Sequence, residues 1–562
     1  MYYETRVDIP DVAGKITINK GIYVKYETGR EYKSEKQYNV PKRVTIGKVC
    51  EDETGKMYPN EKYMSYFSDE KLPEYDEKSK RSCCLRIGSF LVIRKIIKDY
   101  GIDKILGDIF QKYAGLFMDL LSYSVIDERN AGQYYPDYAY SHPLFTDHYH
   151  IYSDATVSRF LNRMTDDQRI DFINRWNENR DHTNPIYISY DSTNKNCQAG
   201  DVVFAEYGHA KDEKNEPVIN YSIGYDHTNS EPLFYEEYPG SIVDVSQLDC
   251  MISKAEGYGY KNIGFILDRG YFSKGNLKHL DDKGYAFIIM VKGNANFING
   301  FVKQTMGKFE NDRKLWISRY HVYGRTLKTK LFNTDEKDRY IHVYYNRAKA
   351  AAEQERFESK IDSLDRIYKK LIGTKVDTSS FEKYFSFITD KEGCIASVMQ
   401  KNRVIENEKK MMGYFVIVTS KRITAKDALL LYKSRDESEK LFRADKAFLG
   451  NGAFRTGSDA AVSAKILIEF VALIVRNKMF HYLDTAIEEG ANKQNYMTVP
   501  AAIKELEKIE MSRQSDGVYR LDHAVTATQK AILNAFKISP ATIPNKAKMI
   551  SDGLVAAGKK ND

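Results

Sequence analysis

The chain has 562 residues, with 85 Lys and Arg against 78 Asp and Glu, for a formal charge of +7. Hydrophobic residues make up 42% of it, which excludes a chain disordered throughout, and at about 150 residues per domain the length suggests three or four domains. The small positive charge permits a polyanionic partner without demanding one.

Met1–Arg6 is not a basic segment leading into an apolar run, so no secretory signal is expected. Residues 1–85 read as a β-rich, basic N-terminal region. Between Val12 and Lys48 nine basic residues stand against Glu27, Glu31 and Glu35, interleaved with Tyr23, Tyr26, Tyr32 and Tyr38. Such a surface suits a phosphate backbone, and it equally suits a solvated charged sheet. Residues 86–182 read as a helical domain, with apolar residues at helical spacing from Phe90 to Phe110 and Asp154 as a helix cap. That domain is a candidate for DNA binding or dimerisation. His148 and His150, two apart in an aromatic stretch, admit a metal pair but read more readily as a packed loop.

At residue 183 the texture becomes α/β. Ile186–Tyr190, Val202–Ala205, Val218–Ile223, Asn262–Leu267 and Ala286–Val291 read as strands, with a helix over Val245–Glu256. Residues 295–411 break the pattern and read as a β-rich insertion holding a charged helix, Ala348–Leu371, whose Ile361, Leu364 and Ile367 are heptad-like. Over 412–485 a strong strand, Gly413–Thr419, precedes a helix from Ala425, capped by Thr424, and a second helix from Ala464 to Phe480. Ile466–Val475 is the longest apolar stretch. Interrupted by Glu469, it is too short to span a bilayer and reads as a core helix, so no membrane role is expected. Residues 486–562 form a C-terminal region whose tail after Pro540 is Lys-rich. The six cysteines show no metal-like spacing and read as reduced thiols.

Two strands end at aspartates, Asp191 and Asp268, with Asp226 a rival in similar context. Strand ends of an α/β sheet gather functional groups, and paired hard carboxylates suit Mg²⁺ or Mn²⁺. Alone, such a pair is ordinary. The helix near 432 adds Tyr432, Arg435, Glu439 and Lys446, which fall within about 60° of arc if the helix runs on through Lys446. One face then offers a carboxylate for metal and cations for phosphate oxygens. The bland alternative is a salt-bridged surface helix.

The pattern Tyr432-x2-Arg435-x3-Glu439-x6-Lys446 resembles the YREK signature of bacterial insertion-sequence transposases, DDE enzymes with an RNase H-like core. Asp191-Ser192-Thr193 is similar to the first acidic motif of that group, and Ile266–Phe272 to the second. Tyr207–Asp212, Tyr238–Ser241 and, more weakly, Arg43–Lys48 are similar as well. The intervals fit: 77 residues separate the aspartates, and 171 separate Asp268 from Glu439, which the insertion accounts for.

The resemblance implies a fold class of α/β with an RNase H-like catalytic core in two parts, 183–294 and 412–485. It implies that Asp191, Asp268 and Glu439 hold two Mg²⁺ or Mn²⁺ and are catalytic. Tyr432, Arg435 and Lys446 would grip the phosphate, with Arg269 and Lys292 as weaker DNA contacts. Trp316 would stack on a displaced base or, more readily, pack within the insertion. The implied partners are double-stranded DNA, as transposon ends and target, and a second copy in a synaptic homodimer. The implied place of action is the cytoplasm, at the prokaryotic nucleoid. The implied function is metal-dependent cleavage and strand transfer. The alternatives are a nuclease without strand transfer and an inactive DNA-binding relative.

Overall fold

The computed structural model describes residues 6–34, 37–50, 52–67, 81–129, 131–182, 184–197, 202–208, 215–242, 248–291, 296–380, 382–436, 453–454, 456–490 and 497–560. Lys292, Glu439 and Lys446 lie outside these, and of Asp191 only the backbone is described. The chain divides into two units, residues 1–82 with 553–562, and residues 83–552.

The smaller unit is built on a five-stranded antiparallel sheet. Its strands are β1 (Val7–Asp8), β2 (Ile16–Asn19), β3 (Tyr23–Lys33), β4 (Tyr38–Val49) and β5 (Lys56–Pro59), in the order β1-β5-β4-β3-β2. Val7, Val24, Ile46 and Met57 form its core with Tyr63 of helix α1 (Glu61–Tyr66). Asn60 caps that helix, accepting from the amides of Lys62 and Tyr63.

The larger unit begins with β6 (Cys84–Arg86), followed by helices α2 (Gly88–Asp99), α3 (Ile102–Phe110), α4 (Ala114–Asp127), α5 (Tyr135–Ser141), α6 (Asp154–Arg163) and α7 (Asp166–Glu178). The cap of α6 is Ser153 rather than Asp154. The Ser153 hydroxyl accepts from the Thr156 amide, and Asp154 takes the next position, where its charge suits the helix dipole.

A ten-stranded sheet follows. Its first part comprises β7 (Ile186–Cys197), β8 (Val218–Asp226), β9 (Glu231–Pro239), β10 (Ile263–Leu267) and β11 (Ala286–Met290), with α8 (Leu248–Gly257) and α9 (Lys274–Asp282) between strands. The spatial order is β9-β8-β7-β10-β11. β7, β8 and β9 run antiparallel as a meander, and β10 and β11 run parallel to β7. Gly264 on β10 leaves room for the ring of Tyr187, which lies where a Cβ would sit. Val202–Ala205 is not a strand. It is a turn leading to a single bridge between Glu206 and Val218, and Val203 is 80% exposed, because β8 is already paired on both sides by β7 and β9.

The segment after β11 contains helices α10 (Asn296–Thr305), α11 (Arg347–Lys369) and α12 (Asn402–Lys410) among strands β12 (Trp316–Ile317), β13 (Val322–Thr329), β14 (Arg339–Tyr345), β15 (Phe385–Thr389) and β16 (Ile395–Gln400). Beside the expected charged helix, which is α11 with 23 residues, it holds the shorter helices α10 and α12. Its strands also divide. β12, β13 and β14 extend the main sheet through β17 (Tyr414–Thr419), which pairs antiparallel with both β14 and β11. β15 and β16 form a separate hairpin against α11 and α12. The buried stripe of α11 is Phe357, Ile361 and Tyr368, while Ile367 is 55% exposed, so the heptad reading stops at Leu364.

Two further helices cover one face of the sheet. α13 (Ala425–Ser434) is capped by Thr424 and packs on Ile266, Ile288 and Ile417 through Leu429 and Tyr432. The helix next described, α14 (Asp459–Glu488), is buried throughout Ile466–Val475. Between them, β18 (Ala453–Phe454) pairs with the end of β7. The C-terminal part comprises α15 (Val499–Leu506), β19 (Glu510–Arg513), β20 (Tyr519–Leu521), α16 (Ala527–Ala535) and α17 (Ile543–Lys560), with β19 and β20 joining β6 in a small sheet. Among the described residues no helix is long and apolar enough to cross a membrane, and the six cysteines are free thiols.

Glu469 of α14 shows why an acid interrupts this apolar run. It is 2% exposed and meets Lys195 of β7 at 2.5 Å, with Lys465 of the same helix buried nearby. Burial pushes the Lys465 ammonium below the usual lysine range, and the Glu469 charge opposes that shift. Glu469→Ala takes the shared anion from two buried lysines. It should destabilise the unit by on the order of 3–5 kcal/mol in urea denaturation, whereas loss of a surface pair would cost less than about 1 kcal/mol.

Candidate active site

The strand register brings the two aspartate positions together. On β7 and β10 the last paired residues are Ser189 and Ile266, and two residues further along each strand come Asp191 and Asp268. Counted on from that register, the two positions come level with each other just past the point where the pairing of the strands stops. Asp191 is not at a strand end, because β7 continues to Cys197 under its antiparallel pairing with β8. Asp268 is where β10 does end. It is half-exposed and caps a short turn, accepting from the Arg269 amide at 2.7 Å.

Asp226 drops out as a rival. It is 2% exposed and closes the β8–β9 hairpin, accepting from the amides of Thr228 (2.8 Å) and Asn229 (3.3 Å) and from the Asn229 side chain (2.6 Å). Burial pushes its carboxyl above the ordinary range. Its short polar side chain holds a turn.

The helix α13 brings Arg435 to the site. Ser434 is its last residue and Arg435 is its C-cap, with Nη2 3.9 Å from Oδ1 of Asp268. The guanidinium is 12% exposed and lies 5.7 Å from the centre of the Tyr432 ring. Tyr432 itself is 4% exposed and belongs to the core under the helix, packed with Ile266, Ile288 and Leu429. Its body therefore supports Arg435 from beneath and is not displayed to solvent. Arg435 keeps helical backbone angles (φ −54°, ψ −25°) and Asp436 is again helical, while Glu439 and Lys446, on which a helical face through Lys446 depends, lie outside the described residues.

His227, which the sequence reading passed over, completes the surroundings. Its Nε2 shares a 2.6 Å hydrogen bond with the Ser189 hydroxyl, and its backbone amide donates to Tyr187. Burial, and then the charge of Arg435, push its pKa down to about 3, so the ring is neutral near pH 7. Only its place just after a strand, as the first residue of the β8–β9 turn, marks it in the sequence.

Arg269 is exposed and lines a cleft of about 1060 Å³ among α10, α11, α12 and β17. Lys303, Lys349, Arg356, Lys360 and Lys383 line it too, against Glu353 and Glu408. Trp316 is packed within its own segment, its ring 4.8 Å from that of Tyr323. His148 is exposed, and His150 meets Tyr152 edge-on. Among the described residues no group of three or more His, Cys, Asp or Glu gathers in a metal-binding arrangement.

The family described as Transposase DDE domain matches residues 187–475, a range that includes Asp191, Asp268, Arg435 and Glu439. No curated protein matches the chain. Among solved structures, the chain is similar to a piggyBac transposase in a synaptic complex with hairpin DNA, at 9% identity and a TM-score of 0.31. The similarity covers 72% of this chain and 63% of that one.

The burial of Tyr432 makes a checkable statement. Tyr432→Ala should cost about 3–5 kcal/mol in chemical denaturation, as aromatic truncations in cores do. A tyrosine displayed only to a ligand would cost within about 0.5 kcal/mol.

Proposed function

The chain belongs to the transposase DDE-domain family, and from that premise we propose that it is an insertion-sequence transposase of the YREK group, which binds the ends of its own element and cuts and joins them. The observation that carries this reading is the register of β7 and β10, which leads to Asp191 and Asp268 at the same level, with Arg435 beside the second. The sheet order β9-β8-β7-β10-β11, an antiparallel meander flanked by parallel strands, supports an RNase H-like core.

The donor set fits hard divalent cations. Asp268 is half-exposed, with one oxygen turned to its own turn amide, and a second carboxylate position lies one strand away. Asp191, Asp268 and Glu439 would hold two Mg²⁺ or Mn²⁺. When bound, these ions supply activation of a water or 3′-hydroxyl and stabilisation of the leaving oxygen. The rest of the chemistry is positioning by this chain's own groups. Arg435, seated on the Tyr432 ring, offers a planar guanidinium to a phosphate. Neutral His227 holds the Ser189 hydroxyl on β7 without adding charge to the site. Lys446 and Lys292 would add phosphate contacts. The cleft beside Arg269, with six cations against two acids, supports a path for DNA leading to Asp268. Two ends must be held together for joining, so the working species is a homodimer on DNA.

Asp268→Asn and Glu439→Gln should each abolish cleavage of supercoiled donor DNA and strand transfer while end binding persists. Arg435→Ala should slow cleavage by about a hundredfold. EDTA should stop the wild-type reaction, and Mg²⁺ or Mn²⁺ should restore it. Cleavage that survives in Glu439→Gln sinks the assignment, and cleavage without joined products turns it into a nuclease.

A further inference from the structure

The β3–β4 hairpin is longer than the sheet it belongs to. β2 pairs with β3 only over Tyr23–Tyr26, and β5 pairs with β4 only over Gly47–Val49. Beyond the bulge, Gly29–Lys33 and Tyr38–Lys42 pair with each other and, among the described residues, with no third strand. Five residues a side make a ribbon roughly 17 Å long. A register shift between Glu27 and Gly29 marks its base, where bulges bend and twist a strand. Glu27, 8% exposed, fixes that base by holding Arg30 at 2.8 Å and Arg43 at 3.8 Å.

Cross-strand partners share a face, so the register sorts the ribbon's side chains. Tyr32 opposite Asn39 lies on one face with Arg30 and Arg43, and Lys33 opposite Tyr38 lies on the other with Lys42. Each face thus carries one exposed tyrosine, Tyr32 at 62% or Tyr38 at 58%, and two cations against one acid, Glu27 beside the arginines and Glu31 beside the lysines. Glu31 is the one exposed acid among the described ribbon residues.

Positive charge on both faces is wasted on a flat partner, which touches one. It complements a partner with negative charge on both sides, and a second copy of the ribbon would meet like charge. We propose that this ribbon enters a groove of duplex DNA, with Lys33, Lys42, Arg30 and Arg43 reaching the phosphates that form the two walls. The major groove admits a two-stranded ribbon. This rests on the DNA-processing function proposed above and adds the element that docks the duplex.

The test uses the full-length chain and a fluorescein-labelled duplex of random sequence, read by anisotropy across a salt series. Tyr32, Lys33, Tyr38 and Lys42 make no contact with Glu27, so their combined change to Ala leaves the ribbon's base intact. That variant should bind at least about tenfold more weakly. Its plot of log affinity against log salt should be shallower by about two, because two phosphate contacts are gone. The pair Lys33→Glu with Lys42→Glu keeps both tyrosines and should weaken binding further, which decides the matter if the first variant melts early. Unchanged affinity and slope in a folded variant overturn the ribbon while wild-type cleavage leaves the DDE reading standing. A changed oligomeric state with unchanged DNA affinity overturns it in favour of a second copy. A wild-type chain that neither binds nor cuts duplex overturns both.

Discussion

One strand, β7, has to satisfy two neighbours whose geometries differ. Its pairing with β8 is antiparallel and runs to Asn196, whereas its parallel pairing with β10 stops at Ser189. From Tyr190 to Lys195 that second edge has no strand beside it among the described residues, until β18 takes it up at Asn196. The gap is where β10 turns away at Asp268. In open sheets, sites form where neighbouring strands part at their carboxyl ends. Here that departure and the position of Asp191 coincide, so the site is a consequence of sheet topology as much as of the acids themselves.

β7 is held in this position from its far end. Lys195, four residues beyond Asp191, is anchored into the protein by Glu469 of α14. Such a buried pair is weak evidence for net stability, since desolvation offsets most of its attraction. It does fix which residue of β7 faces which turn of α14. The pairing with Lys195 also accounts for an acid inside the buried apolar run Ile466–Val475 of α14.

Legibility followed how local each signal was. Strands such as Ile263–Leu267 and helices such as Ala425–Ser434 show in the sequence because alternation, apolar runs and a Thr cap act over a few residues. Asp191 reads from the sequence as a strand end and lies instead inside a long strand, because the second half of β7 is polar and is a strand only through β8. The angular argument put Tyr432 and Arg435 on one face and could not say that one is under the helix and the other beside Asp268. A helical wheel gives direction, while burial depends on what the sheet brings underneath. His227 was missed for the same reason, since a lone histidine after a strand has no pattern. In the segment after β11 the long charged helix shows in the sequence, whereas α10 and α12 do not, being only ten and nine residues long.

The net charge of +7 describes no surface of this molecule. Around Asp268 an arginine faces an acid, and the adjoining cleft gathers six cations against two acids. In the smaller unit, Glu27 is spent on holding two arginines at the ribbon's base, so it cancels charge in the total without neutralising the exposed lysines. Screening over about 8 Å at physiological salt makes such local balances, and not the sum over the chain, what a phosphate meets. A nearly neutral sequence can therefore present two separate cationic elements, one beside the acids and one on a projecting ribbon.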